Sequence, residues 1–318
     1  MPNWIKNTVT KRIFTVVSFS LLVLGVFVNL VALKVSSFQW SVDYVNQIMV
    51  SYIIIGLFFL IFENRFLVVT AFLCAASLAL LMKETTNARI KSPLRNNQPK
   101  FRVSLCNISD IDSDPDKVFS YILKNDPDIV VFEEFTPDWE SVINEKMASH
   151  FSLKVQLPRI DAYGLLIFSK LNTLSIDTFY YEQYPIVRLN CKIYDKLLNT
   201  YCTYISPNID KGTRDSRDGQ LNFLEKLVSM DSTDKVVTGV FNTVAWAAEL
   251  QDFRSNTGLS NSRNGYVPTV YTNSGGFFNR PLTHIFYSTG LECISFTVNR
   301  ADNDEFGVQS TFQFKNRQ

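Results

Sequence analysis

One short segment places carboxylates directly after an apolar strand, where they are available for chemistry. Pro127–Asp128 is typical of a turn, Ile129–Phe132 is a wholly apolar run, and Glu133 and Glu134 follow at its exposed end. Carboxylate oxygens are the ligands that Mg²⁺ prefers, so Glu134 is a candidate for holding a divalent ion. The alternative is a solvated acid at a strand end, and the adjacent Glu133 leaves the register open by one residue.

A second segment, Gly239–Asn242, follows the strand-like run Lys235–Thr238. Together with Pro127–Glu134 it resembles the endonuclease/exonuclease/phosphatase family, whose strands end in "PDIVxLQE" and "GDFN". Five further segments resemble motifs of that family: Cys106–Asn107 (the end of the opening strand), Thr203–Pro207 ("THxxxP"), Arg217–Leu221 ("RxxQL"), Pro281–Phe286 ("IDHIF") and Ala301–Asn303 ("SDH"). The resemblance implies an α/β fold over residues 101–318, a two-sheet β-sandwich flanked by helices like that of DNase I.

The resemblance also implies roles for individual residues. Metal binding is implied for Glu134, Asn107 and Asp302. Catalytic or phosphate contacts are implied for His284, Asn242 and Tyr204. No cofactor is required, and Mg²⁺ is implied only as an ion at a weakened site.

Four positions depart from the family pattern. Val240 and Thr283 stand where "GDFN" and "IDHIF" have aspartate, and Tyr204 and Asn303 stand where "THxxxP" and "SDH" have histidine. An isopropyl group neither holds a metal nor takes a proton, and a neutral phenol does not replace an imidazolium. The chain has only two histidines, His150 and His284, so a substitute is hard to find. The sequence therefore predicts a hydrolase fold with damaged chemistry.

We expect a membrane-anchored pseudoenzyme that acts as a binding or assembly module without phosphodiesterase turnover. The alternative is a divergent Mg²⁺-dependent phosphodiesterase or phosphatase acting on an envelope or lipid-linked phosphoester. It would use Glu134 and Asp302 for the ion, with His284 and Tyr204 near the phosphate. In a third hypothesis the N-terminal helices are the working part, and the globular domain is a docking cap.

Three apolar runs without charged residues lie within residues 1–83: Ile13–Leu33, Tyr44–Phe62 and Phe66–Met82. Each is in the length range that crosses a hydrocarbon core about 30 Å thick. A cleaved signal peptide and a buried helical hairpin are the alternatives, but two of the runs are joined only by Glu63–Arg65. We therefore predict a transmembrane unit of three helices over residues 1–83, a linker over 84–100 and the globular domain from residue 101.

Charge placement bears on orientation and on partners. Lys6, Lys11 and Arg12 precede the first run and favour a cytoplasmic amino terminus, whereas the basic residues after the third run favour the opposite. We expect an integral protein of a bacterial inner membrane with an extracytoplasmic C-terminal domain. Its expected partners are the lipid bilayer and a membrane or envelope protein complex. The net charge is only +1, so a nucleic-acid partner is not expected.

Two cysteines flank a predicted hairpin turn. If the turn is centred between Lys196 and Leu197, Cys191 and Cys202 face each other across the strands and are placed for a disulfide. The alternative is a pair of half-buried residues with reduced thiols.

Overall fold

The computed structural model describes residues 3–32, 39–85, 87, 97–108, 115–264, 280–301 and 304–315. These residues form two compact units. The N-terminal unit contains the described residues up to Thr85 together with Trp246–Ala248, and the globular unit contains the others. Of the predicted linker over 84–100, only residues 84, 85, 87 and 97–100 are among those described.

Four helices make up most of the N-terminal unit: α1 (Asn3–Ala32), α2 (Gln39–Asp43), α3 (Val45–Ile61) and α4 (Arg65–Thr85). Side-chain contacts hold α1 against the hairpin that α3 and α4 form. The Tyr52 hydroxyl of α3 donates a hydrogen bond of 2.8 Å to the Leu22 carbonyl of α1. The rings of Phe19 and Phe66 lie 5.3 Å apart between α1 and α4. All three predicted apolar runs therefore overlap helices of one bundle.

Two helices of the described residues are long and apolar enough to cross a membrane, judged by length and composition. The candidate spans are Thr10–Asn29 in α1 and Arg65–Lys83 in α4. The structure therefore gives two candidate spans where three were predicted, and the remaining run coincides with α3, a shorter apolar helix of 17 residues that lies between them in the chain. At 1.5 Å per residue such a helix is roughly 25 Å long, which is less than the hydrocarbon thickness of about 30 Å.

The globular unit contains two six-stranded sheets. The first sheet has the order β11-β12-β1-β2-β4-β3 and the second has the order β5-β6-β7-β8-β10-β9. The strands are β1 (Lys100–Asn107), β2 (Ile129–Glu133), β3 (Leu153–Leu157), β4 (Leu165–Ser169), β5 (Asn172–Tyr181), β6 (Tyr184–Ile193), β7 (Lys196–Thr203), β8 (Asp234–Val240), β9 (Ser260–Asn261), β10 (Thr283–Tyr287), β11 (Leu291–Ala301) and β12 (Asp304–Phe314). Among the described strands, only β1 with β2 and β7 with β8 pair in parallel.

Helices cover the outer face of each sheet. They are α5 (Pro115–Lys124), α6 (Glu140–Met147), α7 (Lys211–Met230) and α8 (Ala248–Thr257), with two short 3₁₀ turns at Pro137–Trp139 and Ala148–His150. Crossover helices α5 and α7 join the two parallel strand pairs, as parallel pairing requires. The predicted two-sheet sandwich flanked by helices is confirmed.

Alternate residues of the central strands enter different cores. In β2, Ile129 and Val131 pack between the two sheets, whereas Val130 and Phe132 pack against α5 and α6. In β8, Val236 packs between the sheets and Val237 packs against α7 and α8. Because side chains of a strand point alternately to its two faces, both faces of each central strand are buried.

The five cysteines are free and buried. The turn between β6 and β7 lies between Ile193 and Lys196, so Cys191 pairs with Leu198 and Cys202 pairs with Val187. The turn therefore comes earlier in the chain than a disulfide requires, and the alternative of two reduced thiols is correct.

Candidate functional site

The motif segments of the two parallel strand pairs lie at the carboxyl ends of those strands. Asn107 ends β1 and is in register with Glu133 at the end of β2. Val240 ends β8, and Tyr204 directly follows β7. The two pairs approach closely, since the Val240 amide donates hydrogen bonds of 3.0 and 2.9 Å to the two carboxylate oxygens of Glu133. The candidate site is formed by the residues at these four strand ends.

Glu133 faces the space between the two sheets. Its position continues the alternation of Ile129 and Val131, which point to the same core. The side chain is fully buried, and this burial raises the pKa of the carboxyl group well above its usual range. The Val240 hydrogen bond acts against the increase, and the negative charge of Glu134 adds to it. Glu133 is therefore a structural acid, and Glu134 is the one that faces the site.

Glu134 turns away from the core because the chain changes direction there. Its φ is +57°, in the left-handed region that residues other than glycine seldom adopt. The side chain is half-buried, and its Oε1 accepts a hydrogen bond of 2.8 Å from Asn107 Nδ2. The structure thus brings together two residues, Glu134 and Asn107, that the sequence assigned to metal binding.

Tyr204 lies beside this pair. Its side chain is 7% exposed, and burial together with the charge of Glu134 raises the pKa of the phenol far above its usual range. A hydrogen bond from Asn242 acts in the opposite direction. The ring of Tyr163 stands edge-on at 5.4 Å. The Tyr204 phenol therefore stays neutral. It is suited to donating a hydrogen bond and unsuited to acting as a general acid or base.

Asn242 also has a left-handed backbone, with φ of +51°. Its Nδ2 donates a hydrogen bond of 2.7 Å to the Ile205 carbonyl, which fixes the segment after Tyr204. On the other side of that segment, the buried Gln220 side chain of α7 accepts a hydrogen bond of 2.8 Å from the Ser206 amide. The "RxxQL"-like motif within α7 therefore positions the loop that carries Tyr204.

Val240 and Thr283 occupy the two positions where the family motifs have aspartate. They are direct cross-strand partners on β8 and β10, and each is only 1% exposed. The two replacements are thus neighbours in space, although they are far apart in sequence. A buried valine supplies no charge, and a threonine hydroxyl has neither the charge nor the basicity of a carboxylate.

His284 is not placed with Glu134, Asn107 and Tyr204. Its side chain is fully buried, Nε2 donates a hydrogen bond of 2.9 Å to the Thr243 carbonyl, and Nδ1 faces Asn261 Nδ2 at 3.5 Å. Burial, reinforced by the positive charge of Arg263, lowers the pKa of the imidazole to about 3. The geometry therefore supports a structural role in the core, in place of the phosphate contact expected from the sequence.

The remaining predicted residue, Asp302, lies outside the described residues, as does Asn303. No role was assigned from the sequence to two contributors to the site, namely Glu133 as the buried acid and Gln220 as a support of the Tyr204 loop. The alternation of apolar residues along β2 already carries the signal for Glu133, because positions 129, 131 and 133 share a face.

Glu134 and Asn107 are the residues of the described site that bear on metal binding. Among them, no three His, Cys, Asp or Glu side chains are grouped to hold a metal ion. Mg²⁺ usually takes one or two carboxylates together with water and a ligand phosphate. Glu134 and Asn107 fit an ion held in this way, and the ion would supply positive charge to a bound phosphate.

Comparisons with known proteins agree with this geometry. The sequence profile of the Endonuclease/Exonuclease/phosphatase family matches residues 104–304. No curated protein matches the sequence. The fold is similar to that of an endonuclease/exonuclease/phosphatase from Bacteroides vulgatus, with a TM-score of 0.56, 14% identity, and coverage of 69% of this chain and 100% of that one.

Two further solved structures share the fold. One is an endonuclease/exonuclease/phosphatase from Beutenbergia cavernae, with a TM-score of 0.54, 14% identity, and coverage of 68% of this chain and 72% of that one. The other is a 3′ phosphatase from Neisseria bound to a product DNA hairpin, with a TM-score of 0.55, 14% identity, and coverage of 68% and 100%. The profile match spans more than half of the sequence, so the chain belongs to the endonuclease/exonuclease/phosphatase family, whose members are typically phosphoesterases.

Proposed function

We propose that the chain is a membrane-anchored member of the family that binds a ligand or a protein partner and does not turn over phosphoesters. The observation that carries this proposal is the cross-strand pair Val240–Thr283. Two buried, uncharged side chains stand together where the family places two acids. A positioned base contributes orders of magnitude to phosphoester hydrolysis, and neither a valine nor a threonine side chain takes a proton from water at neutral pH.

The polar groups present at the strand ends are suited to binding. Asn107, Tyr204 and Asn242 carry amide or hydroxyl hydrogens at the strand ends, and their neutral side chains recognise an acceptor without activating water. Glu134 is held in place by Asn107 at 2.8 Å, so it presents a fixed carboxylate to a partner or to a weakly bound ion. Such a site would let the chain act as a binding or assembly module in a membrane or envelope protein complex.

We further propose that α1 and α4 anchor the chain in a bacterial inner membrane, with the C-terminal domain extracytoplasmic. The support is the apolar length of the two candidate spans. Basic residues before the first span favour a cytoplasmic amino terminus. The bilayer is then a partner by necessity.

Purified full-length protein in mild detergent tests the proposed loss of catalysis. With Mg²⁺ or Mn²⁺, we expect no hydrolysis of DNA, bis-phosphoester or phospholipid substrates above the level of the Glu134→Ala variant prepared in the same way. Turnover that a chelator abolishes, and that Glu134→Ala lacks, would overturn the proposal. The matched variant separates true turnover from a contaminating hydrolase.

The second candidate function is a divergent Mg²⁺-dependent phosphodiesterase or phosphatase acting on an envelope or lipid-linked phosphoester. The Asn107–Glu134 hydrogen bond favours this function, because it keeps a metal-binding carboxylate at the strand ends. In the same assay, this function requires turnover that a chelator abolishes, and isothermal titration must show Mg²⁺ or Mn²⁺ binding that Glu134→Ala loses.

If the N-terminal helices alone are the working part, a partner that co-purifies with the full chain is lost when residues 1–83 are removed.

A further inference from the structure

The amino-terminal end of α1 lies beside the turn between α3 and α4. Asn64 Nδ2 donates a hydrogen bond of 3.2 Å to Thr15 Oγ1, and the Thr15 hydroxyl donates one of 3.0 Å to the Lys11 carbonyl. Farther along α1, the Leu22 carbonyl accepts the hydrogen bond from Tyr52 of α3. Thus α1 runs antiparallel to α3 and parallel to α4, and the start of α1 and the turn lie at the same end of the bundle.

A basic cavity opens at that end of the bundle. Its volume is about 930 Å³, and its charged lining residues are Lys11, Arg12, Arg65 and Glu63. Three cations and one carboxylate leave two net positive charges. Phe14 and Phe62 also line the cavity, so cationic and aromatic groups share one space. This combination suits a phosphate group at the boundary between water and lipid.

An apolar groove lies next along the same two helices. It has a volume of about 540 Å³, and its lining includes Phe19, Val23, Val69 and Leu73 from α1 and α4. Phe66 lines the groove and directly follows Arg65, which lines the basic cavity. A ligand with a charged head and an apolar tail can therefore place its head in the basic cavity and its tail in the adjacent apolar groove along α1 and α4.

We propose that this end of the N-terminal unit binds one anionic glycerophospholipid. The phosphate contacts Arg12, Arg65 and Lys11, and one acyl chain lies in the groove between α1 and α4. One guanidinium group donates two hydrogen bonds to two oxygens of a phosphate, whereas a lysine ammonium acts as a point charge. The two arginines are therefore stronger contacts than Lys11. A zwitterionic choline lipid brings its own cation to the cavity and gains less. The site rests on the proposed membrane anchoring, and it is separate from the site at the strand ends.

Full-length protein in detergent, titrated with phosphatidylglycerol or phosphatidylcholine and followed by native mass spectrometry, tests the proposal. We expect tighter binding of phosphatidylglycerol and a roughly thirtyfold loss of that preference in the double variant Arg12→Gln, Arg65→Gln, at about one factor of five per neutralised cation. Lys83→Gln is the matched control, because it removes a cation near the opposite end of α4. We expect it to keep the preference.

Two further arms identify the ligand. Soluble glycerol phosphate should not compete with the lipid, because it lacks the acyl chain, and Leu73→Trp should weaken lipid binding by filling the groove. Equal binding of the two lipids, or equal effects of the arginine and Lys83 variants, would overturn the lipid site. Release of the chain from membranes by alkaline carbonate would overturn the anchor, and the lipid site with it. Retention in membranes without lipid preference would overturn the lipid site alone.

Discussion

Glu133 and Glu134 are neighbours in sequence whose side chains lie in different environments. Glu133 continues the inward face of β2 and is buried against the Val240 amide, whereas Glu134 has a left-handed backbone and contacts Asn107. The order of the two roles follows from the two-residue period of a strand. Which of the two acids faces the site was left open by the motif resemblance, and strand alternation decides it.

His284 shows how little a sequence motif says about the environment of a side chain. A histidine in a family motif was assigned to a phosphate, but the ring stacks on Phe286 with centroids 5.6 Å apart and lies in the core. The motif predicts that His284 lies on a strand, but it does not predict whether the side chain points into the site or into the core. The chemical consequence at Val240 and Thr283 was readable from sequence, because a missing carboxylate needs no coordinates to be recognised.

The buried imidazole of His284 makes a testable contribution to acid sensitivity. Its folded-state pKa is about 3, below the usual 6.5, so between these values the unfolded chain takes up a proton that the folded chain does not. Stability is therefore lost as the pH falls below 6.5, by roughly 1.4 kcal/mol per pH unit from this group. We expect His284→Gln to be less stable than wild type at pH 7.5, through lost ring packing, and to show a shallower decline down to pH 4.

Melting temperature of the full-length protein in detergent, measured from pH 7.5 to pH 4, checks this prediction. His150→Gln is the matched control, since it removes the other histidine, an exposed side chain in a 3₁₀ turn. That variant should keep the wild-type dependence on pH. A decline in His284→Gln as steep as that of wild type would contradict the structural assignment of the imidazole.

At the scale of elements, local sequence signals do not mark every helix end or every strand. Helix α7 begins at Lys211, before the motif segment Arg217–Leu221, because Asp210 and Thr213 form a reciprocal capping box that an apolar pattern does not contain. Strand β5 has only a weak sequence signal. It is an edge strand with largely exposed or half-buried residues, so it lacks the apolar run that marks the central strands.

Strands β7 and β8 approach each other closely at Gly239, beside the site. A Cβ added to Gly239 would be 1.9 Å from the Thr203 carbonyl oxygen, which is backbone and has no side-chain freedom to move. We expect Gly239→Ala to push the strands apart, disturb the Glu133–Val240 contact and lower the free energy of unfolding by about 1–3 kcal/mol. The loop that carries Tyr204 follows β7 directly, so the site should lose order as well.

Gly212→Ala serves as the control for this change. A Cβ at that position in the first turn of α7 would lie 3.5 Å from Asp210 Oδ1, an ordinary contact. Alanine is the better helix former, so the control should be stabilised by up to about 1 kcal/mol. Thermal unfolding of both variants in detergent compares them. A Gly239→Ala protein as stable as wild type would show that β7 and β8 separate at little cost.

At the scale of the whole molecule, the sequence predicted the family fold of the globular unit more accurately than the number of candidate membrane spans in the N-terminal unit. Seven motif segments indicate where individual strands of the two sheets lie in the sequence. An apolar run shows only that a segment is hydrophobic, and it does not show which part of the segment is helical. The run over Tyr44–Phe62 yields a helix of 17 residues, because Tyr44 is in a turn before α3 and Phe62 in a turn after it. Hydropathy alone does not show where such a helix begins and ends.

The arrangement of the bundle makes the orientation of the whole chain testable. The start of α1 and the α3–α4 turn lie at one end of the bundle. In the proposed membrane-anchored state, Lys11, Arg12 and Arg65 therefore lie on one side of the membrane. Since α3 returns the chain between the parallel helices α1 and α4, the amino terminus and the C-terminal domain lie on opposite sides. Lys83 ends the last candidate span, Arg89, Lys91 and Arg95 follow it, and these four residues favour the opposite orientation. Because the first helix usually dominates orientation, we expect the amino terminus in the cytoplasm and the C-terminal domain outside it.

Fusing a reporter that is active only outside the cytoplasm to the carboxyl terminus measures this orientation in intact bacterial cells. We expect high activity in wild type, higher or equal activity when the four basic residues after the last span are changed to Gln, and lower activity when Lys6, Lys11 and Arg12 are changed instead. The two sets of substitutions should shift the orientation in opposite directions, because basic residues that flank a span favour the cytoplasmic side. An inactive reporter on a wild-type chain would contradict this expectation if the chain also resists carbonate extraction, which shows that it is inserted in the membrane. The C-terminal domain would then lie in the cytoplasm, because the positive charges after α4 would outweigh those before α1.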